Sequence, residues 1–173
     1  MKNLKLIIPA IAVLFGACSQ NQTNNNKNVV ADTTSKVSSD SIQSDSLFAK
    51  MYINETAKKG SPVLLKFTVI NSADSTKSFC KWHTAFEPFI SKYLDITDSN
   101  GNEVAYIGAM AKRIMPPPAD SYLSVKAKDS ISAKVDLLKA YDLKPGNKYY
   151  VSYNGSNISG VSAPKKLSFS FEE

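Results

Sequence analysis

The residues Leu143-Lys-Pro-Gly-Asn-Lys-Tyr149-Tyr-Val-Ser-Tyr153 decide how this chain is read. Pro145 presets one backbone angle of a turn and Gly146 supplies the positive φ that a side chain resists. Beyond the turn, Tyr149, Val151 and Tyr153 alternate with Tyr150 and Ser152, the period of a half-buried strand. A Leu-x-Pro-Gly turn entering such a strand is the approach to a tyrosine corner, whose hydroxyl bonds backbone a few residues upstream. Tyr149 is the candidate for that structural role.

Working outward, the same period recurs in short segments. Leu47 to Ile53 reads as a first strand, and Glu55 to Ser61, with Lys58-Lys59-Gly60, as a turn. Val63, Leu65, Phe67 and Val69 then share one face of a second strand, and Asn71 to Lys77 is polar turn. Ser78 to His83 is expected to be a strand that sends Cys80 and Trp82 one way and Phe79, Lys81 and His83 the other. Leu94 and Ile96 mark the next strand. Asp98-Ser-Asn100-Gly101 predicts a hairpin in which Asn-Gly accepts positive φ, with a short return strand over Glu103 to Tyr106. Gly108 to Asp120 reads as an irregular crossing, because Pro116, Pro117 and Pro118 forbid a central strand. Tyr122 to Val125 and Ser130 to Leu137 are further strands, and Leu138 to Tyr141 a single helical turn. Leu167, Phe169 and Phe171 predict a last strand sealing an edge. Seven to eight strands with almost no helix make an all-β, two-sheet sandwich over residues 47–173. The strand spacing and the tyrosine corner resemble those of immunoglobulin-like domains, where a buried Trp on the third strand is familiar; Trp82 is expected to be that core residue.

The amino terminus reads as an address. Lys2 and Lys5 precede an apolar run from Leu6 to Ala17, the length of a signal-peptide core and short for a bilayer span. The run ends Leu14-Phe-Gly-Ala-Cys18, which resembles a bacterial lipobox. Residues 1–17 are therefore expected to be removed and Cys18 to carry lipid, each buried methylene contributing about 0.8 kcal/mol to anchoring. Residues 18–46 are mostly Ser, Asn, Thr, Gln and Asp, with few apolar residues and no periodicity, a tether unable to bury enough surface to fold. A flexible chain of that length spans on the order of 30 Å. No acidic cluster follows Cys18, so the periplasmic leaflet of the outer membrane is the expected address. Thr33, Ser41 and Ser46 each follow Asp in triplets resembling an O-glycosylation signal. With Cys18 lipidated, Cys80 has no disulfide partner and is expected to be a buried, inert thiol.

Net charge is +6, with the lysines scattered along the chain. A nucleic-acid binder gathers its cations on one face or helix, so no nucleic-acid partner is expected.

A set of spaced pieces carries a resemblance to a known family: Lys81-Trp82-His83-Thr84, Glu87 and Phe89; Asp98, Gly101, Val104, Tyr106, Gly108 and Met110; Lys112-Arg113, Pro116, Asp120 and Tyr122; Asp136, Tyr141 and Pro145-Gly146-x-x-Tyr149-x-Val151. Over roughly Gly60 to Tyr153 this resembles the N-terminal, non-catalytic domain of deuterolysin-type (aspzincin) zinc metalloendopeptidases. Ala85 stands where that family often has Pro. The resemblance implies an immunoglobulin-like domain that works beside a protease.

The protease chemistry does not follow from these residues. A zincin needs two histidines a helical turn apart, a glutamate base and a third ligand; this chain has one His. No catalytic residue, metal ligand or cofactor is therefore expected. The best partner-binding candidates are His83, Lys112, Arg113, Pro116, Pro117 and Pro118, since a stiff proline loop loses little entropy on docking and Arg113 suits bidentate carboxylate contacts. The function expected is a lipid-anchored, non-catalytic module that binds or restrains another envelope protein, a related metalloprotease among them. The alternative is a structural or adhesive envelope lipoprotein recognising glycan or host protein.

Overall fold

The computed structural model describes residues 46–173, so the signal segment, Cys18, Thr33 and Ser41 lie outside the described residues. Ser46 is half-buried, and its carbonyl accepts from the Ser72 amide at 2.7 Å.

The chain forms nine strands: β1 (Leu47–Ile53), β2 (Thr56–Lys58), β3 (Leu64–Asn71), β4 (Lys77–Cys80), β5 (Leu94–Asp98), β6 (Tyr122–Val125), β7 (Ser130–Asp136), β8 (Asn147–Tyr153) and β9 (Leu167–Glu172). One sheet has the order β1-β3-β7 and the second β2-β9-β8-β5, while β4 and β6 form a separate ribbon. All pairings are antiparallel except β2 with β9. The architecture is an all-β two-sheet sandwich. With β1 and β2 as a divided first strand, the sheets follow the strand order of an immunoglobulin-like domain.

The core is where the alternation places it. Leu65, Phe67 and Val69 of β3 are each 0% exposed, facing Leu94 and Ile96 of β5, Val151 of β8 and Phe169 of β9 across the sandwich. Burying a side chain such as Phe67 contributes about 2–3 kcal/mol. Phe67 also meets Phe86 edge-on at 6.5 Å and Tyr153 at 5.1 Å. Tyr149 closes its corner with two bonds: its hydroxyl donates to the Lys144 carbonyl at 2.9 Å and accepts from the Lys144 amide at 2.8 Å.

Several expectations are corrected. The segment Glu55 to Ser61 is not only a turn: residues 56–58 form β2, which leaves the first sheet and pairs with β9 in the second. Consequently β9 is not an edge; it lies between β2 and β8. The hairpin at Asp98 uses positive φ at Gly101 alone, φ 85°, and not at Asn100. Its Gly101 amide donates to the Asp98 carbonyl and its Asp98 amide to the Asn102 carbonyl. This is a type I turn followed by a glycine bulge, the three-residue hairpin loop. The return segment makes isolated pairings, Thr97 with Glu103 and Tyr106 with Tyr141, rather than a strand. A one-turn helix, α1 (Ser156–Ser159), follows β8 unannounced by any apolar periodicity.

The strand expected over Ser78 to His83 ends at Cys80. Thr84 terminates it: its hydroxyl donates to the Lys81 carbonyl at 2.6 Å and accepts from the Phe86 amide at 3.2 Å. Such hydroxyl-to-backbone bonds turn the chain locally. His83 accordingly sits in the left-handed region at φ 59°.

Candidate functional site

Residues 107–118 carry no helix or strand. The loop is nevertheless pinned. The Ile107 amide donates to the Ala140 carbonyl at 2.8 Å, and the Ala111 amide to the Ile90 carbonyl at 2.7 Å. The Tyr106 hydroxyl donates to the Ala109 carbonyl at 2.9 Å. At the far end the Lys81 amide reaches the Ser121 carbonyl at 2.8 Å, and the Lys81 ammonium reaches the Asp120 carbonyl at 3.0 Å.

The central pin is Arg113. Its guanidinium lies over the Trp82 ring, 4.5 Å from the centroid, and donates from Nη2 to Glu87 Oε2. The Glu87 side chain is only 8% exposed and that of Arg113 20%. Arg113 is therefore not the free surface guanidinium expected from the sequence. Glu87 and the ring face beneath replace part of the water lost by this charge, while the buried Nε of Arg113 has no hydrogen-bond partner. Trp82 is buried by the same arrangement, under the loop and outside the inter-sheet core that was expected for it. The core slot it would have filled on a third strand belongs to β5, with Leu94 and Ile96.

The electrostatics follow from this packing. Burial raises the Glu87 carboxyl above its ordinary value, with Arg113 opposing the shift. Burial, and then Arg113, lower the His83 imidazole below its ordinary value, so it is neutral at pH 7. Burial raises the Cys80 thiol, which is free and buried. The His83 carbonyl accepts from the Tyr153 hydroxyl at 3.0 Å. Gly155 packs so closely there that a Cβ would stand 2.3 Å from that carbonyl.

What the loop exposes is apolar. Ile114 is 84% exposed, Met110 72%, Ile107 62% and Met115 59%. Lys112 is exposed among them; Pro116 and Pro118 are exposed, Pro117 is half-buried, and the Met115–Pro116 peptide is cis. The structure brings Lys112, Arg113 and the three prolines onto one loop and sets His83 in the turn beneath it. Sequence reasoning missed the four apolar side chains as a group, although they crowd the short stretch Ile107 to Met115 without strand or helix period. Among the described residues no cluster of three or more His, Cys, Asp or Glu is placed to hold a metal ion.

No protein-family model matches the chain. An uncharacterized secreted protein of the fungus Arthroderma benhamiae is similar, 29% identical over 108 residues, covering 60% of this chain and 55% of that protein. The chain thus spans about half the length of this curated relative. Among solved structures, an alkylpurine DNA glycosylase of Pseudomonas fluorescens bound to abasic-site DNA aligns over 74% of this chain and 31% of its own. The TM-score is 0.33 and the identity 12%, too low for any argument about fold or function. The comparisons thus add only a similarity to a secreted fungal protein.

Proposed function

We propose that this protein is a lipid-anchored, non-catalytic interaction module of the cell envelope that docks a second envelope protein through the loop 107–118. The observation that carries the reading is the exposure of Ile107, Met110, Ile114 and Met115 on a loop pinned by backbone bonds and the Arg113–Glu87 pair. Several large apolar side chains left in water on one anchored loop favour an interaction site. A pinned loop loses little conformational entropy on binding, and methionine adapts its shape to a partner. The resemblance to the domain that precedes deuterolysin-type proteases makes such a protease the first partner to try. The lipobox-like Leu14-Phe-Gly-Ala-Cys18 and the secreted fungal relative support export. With a single His in the chain, the reading assigns this protein no hydrolytic centre of its own.

The test is chemical cross-linking and capture of the full chain from solubilised membranes, beside the double variant Met110→Ser with Ile114→Ser. The partner retained by the wild type is expected to bind the double variant about tenfold or more weakly, as loss of central apolar anchors does. Reconstituted, it should slow amide exchange across residues 107–115. A partner that binds both proteins equally and leaves that exchange unchanged refutes the docking loop.

A further inference from the structure

The open face of the second sheet has a composition unlike the loop and lies on other residues. Alternation buries Tyr149, Val151, Phe169, Phe171, Leu94 and Ile96, so their neighbours point outward. The outward positions mix hydroxyls (Thr56, Ser168, Ser170, Tyr150, Ser152 and Thr97) with charged side chains. Cross-strand register puts Thr56, Ser170 and Lys148 in one row and Ser168, Tyr150 and Thr97 in the next. Tyr150 is the single aromatic residue of the face, and two ammonium groups stand over its ring: Lys148 at 5.7 Å and Lys166 at 5.3 Å from the centroid. Neither lysine makes an ion pair among the described residues. Of the carboxylates near this face, Glu55 lines the depression beside Lys148, and Asp95 and Glu172 have partners of their own. Asp95 is taken by Asn154 at 2.7 Å and Lys92 at 3.4 Å, and Glu172 registers with Lys58 on β2. Beside Lys148 the surface sinks into a shallow depression of about 400 Å³, lined by Glu55, Thr56, Lys148, Ser168, Phe169 and Ser170.

From this juxtaposition we propose that the outer face of the sheet β2-β9-β8-β5 binds an acidic saccharide, with Tyr150 as its platform and Lys148 and Lys166 as its charge contacts. The chemistry matches group by group. A pyranose ring presents a C–H face that stacks on an aromatic side chain, and a tyrosine offers that flat apolar area with a polar tip. Its hydroxyls exchange hydrogen bonds with the rows of Ser and Thr, which both donate and accept. A carboxylate or sulfate on the sugar meets two ammonium groups that form no ion pair among the described residues, although Glu55 also lines the depression beside Lys148. A peptide strand is disfavoured, because the backbone of β8 and β9 is already paired on both sides within the sheet. An apolar partner finds no aliphatic side chain at the centre of this face. The reading is independent of the docking loop, which shares none of these residues.

The full chain, kept in detergent, is titrated with polygalacturonate, dextran sulfate and neutral dextran by affinity electrophoresis. Retardation by either acidic polymer and not by dextran is expected, and which one binds distinguishes carboxylate from sulfate recognition. Tyr150→Ala should weaken binding roughly tenfold, the loss of one ordinary contact, and Lys148→Gln with Lys166→Gln, which removes two, should weaken it about tenfold or more. Tyr150→Phe should retain binding. Lys126→Gln with Lys134→Gln removes the same charge elsewhere and should leave the affinity within about twofold of wild type. Failure of both acidic polymers to bind overturns the proposal. So does an equal loss from the control pair, which would make the binding general ion exchange, or full binding by Tyr150→Ala.

Discussion

Replacing Arg113 with Met tests whether the loop is held by charge as well as by shape. Met keeps an apolar cover over Trp82 but removes the cation that Glu87 faces. Breaking a buried ion pair from one side costs about 3–5 kcal/mol, since the remaining charge is stranded. The Arg113 side chain is 20% exposed, so water reaches the orphaned carboxylate and about 2–3 kcal/mol is expected. For a domain of this size that corresponds to a fall in Tm of about 6–12 °C. Glu87→Gln alone should cost less, about 1–2 kcal/mol, and the double variant should be no worse than Arg113→Met, a positive coupling in a double-mutant cycle. The pH dependence has a definite sign. The folded carboxyl of Glu87 already lies above its ordinary 4.5 because of burial, so the folded state holds the proton over a window where the unfolded state has lost it. Stability from this group therefore falls as pH rises from about 4.5 through the folded pKa. Without Arg113 the folded value moves higher still and the window widens. Thermal unfolding followed by circular dichroism should thus show Arg113→Met nearly level with wild type at pH 4 and fully destabilised at pH 7. Equal deficits at both pH values, or additive single effects, would refute the buried-pair account.

Two further perturbations probe the frame. Tyr149→Phe deletes the hydroxyl that bonds both backbone groups of Lys144 and should cost about 1–2 kcal/mol in urea unfolding, with an unchanged m-value; a loss below about 0.3 kcal/mol would mean the corner is ornamental. Gly155→Ala pushes a Cβ to within 2.3 Å of the His83 carbonyl and 2.8 Å of the Tyr153 hydroxyl. It should destabilise by about 1–3 kcal/mol and release the Tyr153–His83 bond, and a neutral result would show that the turn carrying His83 moves freely.

The sandwich was legible because its strands carry strict alternation: Val63 to Val69, Leu94 with Ile96, and Leu167 to Phe171 bury the faces their period implies. Loop chemistry was legible where a residue type forces a backbone angle, as Gly101 and Gly146 do. Topology was not, because period two names a face and not a neighbour. Nothing in Thr56-Ala-Lys58 announces a parallel pairing with residues more than a hundred positions away. Asn71 was read only as the start of a turn. It is 1% exposed, and its amide reaches the carbonyls of Ser75, Val125 and Lys126, tying β3 to β6. At the site the sequence marked Trp82, Glu87 and Arg113 as separate pieces. Their union depends on a loop returning across the domain, which no local pattern encodes. The reverse error was treating Arg113 as available: an arginine before prolines reads as exposed until a buried carboxylate is found opposite it.

The interior position of β9 also sets the order in which the domain can be completed. As the chain is made amino end first, β2 has no partner and β8 keeps a bare flank until residues 167–172 arrive. The second sheet stays in two pieces up to that moment. A fold that closes only with its last strand stays open until its carboxyl-terminal residues are in place.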